Sequence, residues 1–572
     1  MQLPIGTSDF KSIIDDGFYF VDKSLLIKEV IEDTQAILIT RPRRFGKTLN
    51  MSMLRYFLDL NANAADLFKN LKIAKEKEFI SQHQGQYPII YLTFKDVKSS
   101  SFSGAYEKIK LIIQSAYDQY SVVLLKSDKL TSFQKRKINA ILEDGISQPE
   151  IEESLLTLSK CLHDHYGKKI CILLDEYDTP IQMGYLKNYY DEVAGFFRNL
   201  LGAVLKDNPY LFKAVLTGIL RVSKESMFSD LNNLIVYSVL SRKYGDYFGF
   251  TESEVRGLLS KAGLQEKSAE IKNWYNGYQF GDHRVYNPWS MVNCVTAQGV
   301  CDIYWINTSG NDLVKELLIE SNESFKTKLE PLFEGQTISC LIDENVVFPD
   351  LKLKDNESAI WSLFLMAGYL TADSIESTER GPLCQLRIPN REIRGLYRRT
   401  IENWLAAKFD IRSYDAFIDY LIDGNIDEFE KNLRNIMEQI VSVHDVSHSP
   451  ESFYHGLLIG LTASLGGRKE YALKSNRESG YGRYDYMILS HLKDKPTIVF
   501  EFKQINLSKK KSAKEIKMIL EKSAKEGLQQ IDSHVYLAEA RQHGAGDILK
   551  IGLAFSGKRF SLVDKREVIV QK

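Results

Sequence analysis

Residues 35–49 read Gln-Ala-Ile-Leu-Ile-Thr-Arg-Pro-Arg-Arg-Phe-Gly-Lys-Thr-Leu, and the fold is decided here. Ala36-Ile37-Leu38-Ile39 is a short apolar run, enough for one buried strand. A turn with Pro42, three arginines and Gly46 follows, and then a periodic apolar run: Met51, Leu54 and Tyr56-Phe57-Leu58. That order predicts strand, phosphate loop, helix. Such a loop turns backbone N–H groups toward an anion at a helix N-terminus. It adds a lysine for the β- and γ-phosphates and a hydroxyl for Mg²⁺. Gly46, Lys47 and Thr48 supply the end of the pattern G-x-x-x-x-G-K-[ST], while Arg41 stands at its first glycine. Arg41, Arg43 and Arg44 are expected to face the phosphates and neutralise them; a solvated loop is the plainer alternative.

The complementary element is an apolar strand ending in acids. Lys169–Leu174 runs into Asp175-Glu176-Tyr177-Asp178. A carboxylate at the C-terminal end of a parallel strand can hold the Mg²⁺–water shell, and its neighbour can polarise the attacking water. Asp175 is assigned to the metal and Glu176 to the water. Phe212–Leu216 is a further strand, and Thr217 at its end can touch the γ-phosphate or the water. Arg221 either stabilises transition-state charge or lies on the surface.

Near the C-terminus, Glu478–Arg483 is a glycine-rich turn, Tyr484–Leu489 an alternating strand and Thr497–Lys503 a second strand. Alternation places Glu501 and Lys503 on one strand face and Phe500 and Phe502 on the other. Asp485 and Glu501 can offer carboxylates to a hard divalent cation, and Lys503 can place water or balance charge on a phosphate. This pattern predicts metal-assisted phosphodiester hydrolysis. The order helix, three strands, helix, strand agrees with a nuclease-like core. Lys509, Lys510, Lys511, Lys514 and Lys517 either track a phosphate backbone or form a solvated face.

The run Leu3-Pro4-Ile5-Gly6, with Val21-Asp22-Lys23-Ser24, Arg41–Thr48 and Leu174–Asp178, resembles a bacterial family of AAA-ATPase-like proteins. Later marks agree: Thr217-Gly218-Ile219 with Arg221, Trp274-Tyr275-Asn276-Gly277-Tyr278, and Tyr286-Asn287-Pro288-Trp289-Ser290. The resemblance covers nearly the whole chain. It implies that replacement of the first loop glycine is a family trait, and that the chain ends in a PD-(D/E)XK nuclease-like domain. On that resemblance Asp485, Glu501 and Lys503 form the catalytic core. Glu478, His455 and Gln530 are weaker candidates for metal or DNA contacts, Glu478 being counted with the metal ligands. The proline before the first acid is absent, since Tyr484 precedes Asp485.

Composition narrows the rest. The chain has 572 residues, 44% of them hydrophobic and 26% charged, with a formal net charge of −1. No global field draws it to nucleic acid, so any such contact is a local patch. Six cysteines lie without a C-x-x-C pair, against a zinc site or disulfide scaffold and in line with a reducing cytoplasm. Neither a signal peptide nor a membrane span is expected.

The expected fold class is α/β multidomain: a P-loop NTPase parallel sheet, a helical lid, a winged-helix-like module and a restriction-endonuclease-like α/β domain. The boundaries are 1–245 for the ATPase, 246–345 for the lid, 346–410 for the winged-helix-like module, 411–450 for a helical linker and 451–572 for the nuclease-like domain. The expected cofactors are ATP and Mg²⁺ and the expected partner is nucleic acid, DNA first, with a homo-oligomer left open. The expected function is an ATP-gated nuclease in mobile-element handling or defence against foreign DNA. The alternative is a nucleotide-switched signalling or scaffold protein with a non-cleaving nuclease fold.

Overall fold

The computed structural model describes residues 1–143, 145–221, 233–305, 317, 323–333, 335–352, 356–408, 411–440, 462, 465, 470–479, 482–505, 512–533, 546–556 and 559–568. The chain divides into two compact units. One comprises Met1–Val314 and Ser339–Ile393, and the other Lys315–Ile338 and Arg394–Lys572. The segment expected to be a winged-helix-like module, 346–410, is therefore shared between them, parting after Ile393.

The first unit is built on a parallel sheet of β1 (Ala36–Thr40), β2 (Ile89–Thr93), β3 (Ile170–Asp175), β4 (Leu211–Gly218) and β5 (Leu234–Tyr237), in the order β2-β3-β4-β1-β5. Every residue of β1 and β3 is buried, as continuous apolar strands covered on both faces must be. The helix Lys47–Leu58 packs on β2 and β3, Phe102–Leu125 on β2, and Ser154–Tyr166 on β3. Because all five strands run the same way, their C-terminal ends share one edge. The order places the end of β4 between the ends of β1 and β3.

The region expected to be a helical lid also carries strands. β6 (Phe250–Thr251), β7 (Asn276–Phe280) and β8 (His283–Tyr286) form an antiparallel sheet in the order β6-β8-β7. Thr251 caps Glu252–Ala262 through a full capping box with Glu254, as the sequence predicts. The core of this region includes Val255, Leu258, Tyr275, Tyr286 and Met291, and Leu3 and Tyr19 pack against it. The N-terminal lead-in is thereby held beside it.

After the helix Glu357–Met366 comes the expected hairpin, β10 (Thr371–Thr378) with β11 (Gly381–Arg387), and β9 (Ile338–Leu341) extends it in the order β10-β11-β9. The last six residues of β10 are exposed. They end near a tip carrying Glu376, Glu379 and Arg380, a charge balance unsuited to gripping phosphate.

The second unit holds a mixed sheet in the order β12-β13-β14-β15-β16: Tyr471–Ser479, Gly482–Ser490, Thr497–Gln504, Asp547–Ser556 and Arg559–Val568. β14 and β15 run parallel, joined across the helix Ala513–Ser533, and the other pairs are antiparallel. Phe500, Phe502, Leu549 and Ile551 form a core with Phe417, Leu421, Phe429 and Leu433. Those last four lie on helices Ile411–Ile422 and Ile426–Ile440. The segment 411–440, expected as part of a linker, is instead one layer of this unit, because its strongly amphipathic helices bury their apolar stripe on the sheet. The opposite sheet face is covered by Ala513–Ser533 through Leu520, Ala524 and Ile531.

Candidate active sites

The C-terminal edge of the parallel sheet gathers the predicted nucleotide residues. Gly46 caps the helix Lys47–Leu58 in a left-handed conformation, φ 83°, which places the next N–H groups at the loop's concave side. Two non-glycine residues beside it share that region: Arg44 at φ 69° and Glu176 at φ 51°. Backbone held there by the surrounding structure is costly, and it clusters at functional sites.

Asp175 is fully buried at the end of β3. Thr48 Oγ1 donates to its Oδ2 at 2.8 Å, Thr217 Oγ1 to its Oδ1 at 2.6 Å, and Thr93 Oγ1 to Oδ2 at 3.4 Å. Three threonines from three segments thus converge on one carboxylate. Burial pushes the Asp175 carboxyl above its ordinary range and the Glu176 charge adds to this, while the Thr217 and Thr48 hydroxyls and Lys47 oppose it. The Lys47 side chain is buried, and its Nζ donates to Arg41 O at 3.0 Å and Pro42 O at 2.9 Å. Burial lowers its pKa, against the fields of Glu176, Asp178 and Asp175. Glu176 is half-buried, and its N–H donates to Thr217 Oγ1 at 3.4 Å.

A cleft of about 390 Å³ opens over these groups, within the usual span of ligand pockets, about 300–1,000 Å³. Arg43, Arg44, Lys47, Thr48 and Glu176 line it. Tyr19, Phe20, Tyr247, Phe250 and Trp289 line it too, so charged and aromatic side chains share the cleft. Such a pocket suits an anionic ligand that also carries an aromatic group.

Arg41 departs from its expected role. Its side chain is fully buried, with Nη1 donating to the carbonyls of Thr40, Tyr237 and Ser238 at 2.8, 3.0 and 2.7 Å and Nη2 to Lys243 O at 3.4 Å. The guanidinium lies over the rings of Phe248 and Phe280. Arg41 therefore ties β1 to the β5 end of the sheet and does not face a phosphate. Arg43 reaches Gln182 Oε1 at 2.8 Å, and Arg44 stays exposed at the cleft. Arg221 reaches Asn345 Oδ1 at 2.8 Å.

Asp178, the last acid of the run, serves the loop that follows β4. It is buried, and its Oδ2 accepts from the N–H groups of Ile219 and Leu220 at 2.7 and 3.1 Å. Tyr177 Oη donates to Leu220 O at 2.8 Å. The acidic run thus fixes the loop after Thr217 as well as offering carboxylates. Two acids flanking a tyrosine at a strand end were the available signal.

In the second unit, Glu501 is buried and Lys503 Nζ donates to its Oε1 at 3.1 Å. Both sit under Gly527 of the helix Ala513–Ser533. A Cβ at Gly527 would stand 3.5 Å from Glu501 Cγ and 3.6 Å from Lys503 Cγ. This glycine lets the helix approach the pair closely. The register pairs Tyr486 with Phe500, and the next residue along each strand is Asp485 and Glu501. Glu478 lies across from Arg483 in the β12–β13 register; the side chains of Asp485 and Glu478 fall outside the described residues. His455 and Lys509–Lys511 lie outside them entirely, whereas Gln530 is on the helix that carries Gly527. Among the described residues, no group of three or more His, Cys, Asp or Glu side chains could hold a metal, and no helix is long and apolar enough to cross a membrane.

Comparison with known proteins agrees with both halves. Residues 4–228 match the family model described as Predicted AAA-ATPase, and residues 449–565 match the PD-(D/E)XK nuclease superfamily. The chain is 25% identical over 569 residues to an uncharacterized protein in the vnfD 5′ region of Azotobacter chroococcum mcd 1, covering 98% of each chain.

Proposed function

With residues 4–228 in the predicted AAA-ATPase family and residues 449–565 in the PD-(D/E)XK nuclease superfamily, we propose an ATP-gated, Mg²⁺-dependent deoxyribonuclease. Its setting would be the bacterial cytoplasm, acting on mobile or foreign DNA. The observation that carries the nucleotide half is the convergence of Thr48 and Thr217 on buried Asp175 beside the Gly46-capped helix.

ATP would occupy the cleft with its phosphates over the helix N-terminus, where N–H groups and the helix dipole favour negative charge. Lys47 would exchange its two loop carbonyls for β- and γ-phosphate oxygens, a stronger charge-assisted pairing. Thr48 and Asp175 would hold Mg²⁺, which supplies Lewis-acid neutralisation of the phosphate charge. Glu176 would accept a proton from the attacking water, with Thr217 orienting that water or the γ-phosphate. Hydrolysis breaks the bond from the γ-phosphorus to the bridging oxygen and forms one to the water oxygen.

In the second unit, Glu501 with Asp485, and Glu478 beside them, would offer oxygen ligands to Mg²⁺. Lys503 would donate to a scissile phosphate oxygen or orient the water. The pairing of a buried carboxylate with a half-buried lysine beside Gly527 supports this reading.

The test is Mg²⁺- or Mn²⁺-dependent cleavage of linear, nicked, branched and single-stranded DNA, with and without ATP. Wild type runs beside Lys47→Ala and Lys503→Ala. Cleavage lost in Lys503→Ala and deregulated in Lys47→Ala is the expected result. Intact ATP hydrolysis with no cleavage of any substrate would overturn the nuclease half in favour of a nucleotide-switched scaffold.

A further inference from the structure

The phosphate loop makes one contact that none of these roles explains. The Arg44 guanidinium carbon lies 4.2 Å from the centre of the Trp289 ring. Both residues line the nucleotide cleft, although they come from distant parts of the chain. Of the three loop arginines, Arg41 is buried among carbonyls and Arg43 reaches Gln182. Arg44 is the exposed one, on backbone held at φ 69°. The negative charge of Glu176 acts on it, opposing the effect of partial burial on its pKa.

The indole is a rigid platform. Trp289 Nε1 donates to Tyr304 O at 3.1 Å, and Asn293 Nδ2 donates to Trp289 O at 2.8 Å. Trp289 belongs to the first turn of the helix Pro288–Thr296, which Asn287 caps by accepting from Ser290 N at 3.2 Å. Pro288 at the helix start fixes the backbone just before the ring. The arginine, in contrast, is a long side chain, held by the ring face and the charge of Glu176.

We propose that Trp289 is a positioning residue for the nucleotide site. It holds the Arg44 guanidinium over the cleft, and the terminal phosphates of a bound nucleoside triphosphate draw that guanidinium off the indole. Energetics favour the exchange. A cation–π pair is worth about 0.5–1 kcal/mol at an exposed site and about 2 when desolvated. Paired N–H bonds from a guanidinium to phosphate are charge-assisted and stronger. The stack is strong enough to select one arrangement of Arg44 and weak enough to release it. This inference rests on the ATP reading of the cleft and adds to it a second-segment residue that senses whether phosphates are present.

The test combines intrinsic tryptophan fluorescence with steady-state ATP hydrolysis in Mg²⁺ for wild type, Trp289→Phe, Trp289→Leu and Arg44→Ala. Binding is followed independently with a fluorescent ATP analogue. The Trp289 signal, taken as wild type minus Trp289→Phe, should change on ATP addition and stay constant in the Arg44→Ala background. Because the stack exists only in the free enzyme, Trp289→Leu should tighten binding of the ATP analogue and lower KM about two- to fivefold, the equivalent of one exposed cation–π pair, and Trp289→Phe should return most of that difference. Thermal unfolding identifies any variant that has lost its fold, and the fluorescence arm, read in wild type and Arg44→Ala, stands without Trp289→Leu. ATP binding and hydrolysis with an unresponsive Trp289 would overturn the stack alone. So would a Trp289→Leu enzyme within twofold of wild type in both kcat and KM. Wild type that binds no ATP analogue would overturn the nucleotide reading and, with it, the stack.

Discussion

Thr48 Oγ1 donates to Asp175 Oδ2 at 2.8 Å across a separation of 127 residues. The first residue opens the helix after β1 and the second closes β3, and β4 lies between those strands. β4 uses that place to bring Thr217 to the other oxygen of the same carboxylate, 2.6 Å away. Parallel strands ending at one edge turn three remote sequence signals into one site.

Replacing Glu176 with Gln should leave ATP binding near wild type and reduce hydrolysis by about 10²–10⁴, the usual contribution of a positioned general base. Lys47→Ala should instead weaken binding itself. Binding of labelled ATP and release of phosphate, measured on the same preparations, separate the two. Normal turnover in Glu176→Gln would remove this residue from the mechanism.

Arg41→Gly restores a glycine to the start of the phosphate loop, yet it should harm the protein. It strips donors from the carbonyls of Thr40, Tyr237 and Ser238, and each buried group left unpaired costs about 1–3 kcal/mol. A loss of several kcal/mol is expected in the unfolding of the first unit. Arg41→Lys should recover little, because one ammonium cannot span the fork that the guanidinium fills. Denaturant melts followed in the first unit check both variants.

Gly527→Ala should be tolerated, since its Cβ meets Glu501 and Lys503 at ordinary contact distance, 3.5–3.6 Å, and alanine favours the helix by about 1 kcal/mol. Gly527→Leu should press its side chain onto that pair and abolish metal-dependent cleavage while leaving ATP hydrolysis intact. Equal nuclease activity in both variants would show that substrate approaches from elsewhere.

Glu392 predicts a pH effect. It is fully buried, with Ser290 Oγ donating to both carboxyl oxygens at 2.9 and 2.8 Å and Trp305 N donating at 3.0 Å. Burial pushes its carboxyl up to about 7 from 4.5, and Asp302 adds to the rise. The folded chain therefore keeps a proton that the unfolded chain has already released between about pH 4.5 and 7. Stability falls as pH rises through that window, by about 3 kcal/mol for a shift of this size. Glu392→Gln should flatten that dependence in melts of the first unit recorded from pH 4.5 to 8. An unchanged slope would place the titration on another group.

Much of both sites was legible in the sequence because its signals are local. The apolar runs before Arg41 and Asp175 announce buried strands, and Gly46-Lys47-Thr48 announces the start of a helix. Alternation along Thr497–Lys503 separates Glu501 and Lys503 from the two phenylalanines, and the core divides them the same way. The hold of Asp178 on the β4 loop is not legible in the acidic run, because its partners Ile219 and Leu220 lie 41 and 42 residues away.

By itself, then, the sequence determined which segments become strands, which turn opens a helix and which acids end a strand, since propensity and periodicity act over a few residues. Tertiary structure alone decided where the arginines go. Arg41 and Arg44 are three residues apart and chemically identical. One is drawn inward because β5 presents carbonyls beside it, and the other remains at the cleft because Trp289 offers a ring face. It also made the segment 411–440 a layer of the second unit, because an amphipathic helix is a linker or a wall according to whether a sheet lies open to its apolar side. Those outcomes depend on partners tens to hundreds of residues away, which the local pattern does not contain.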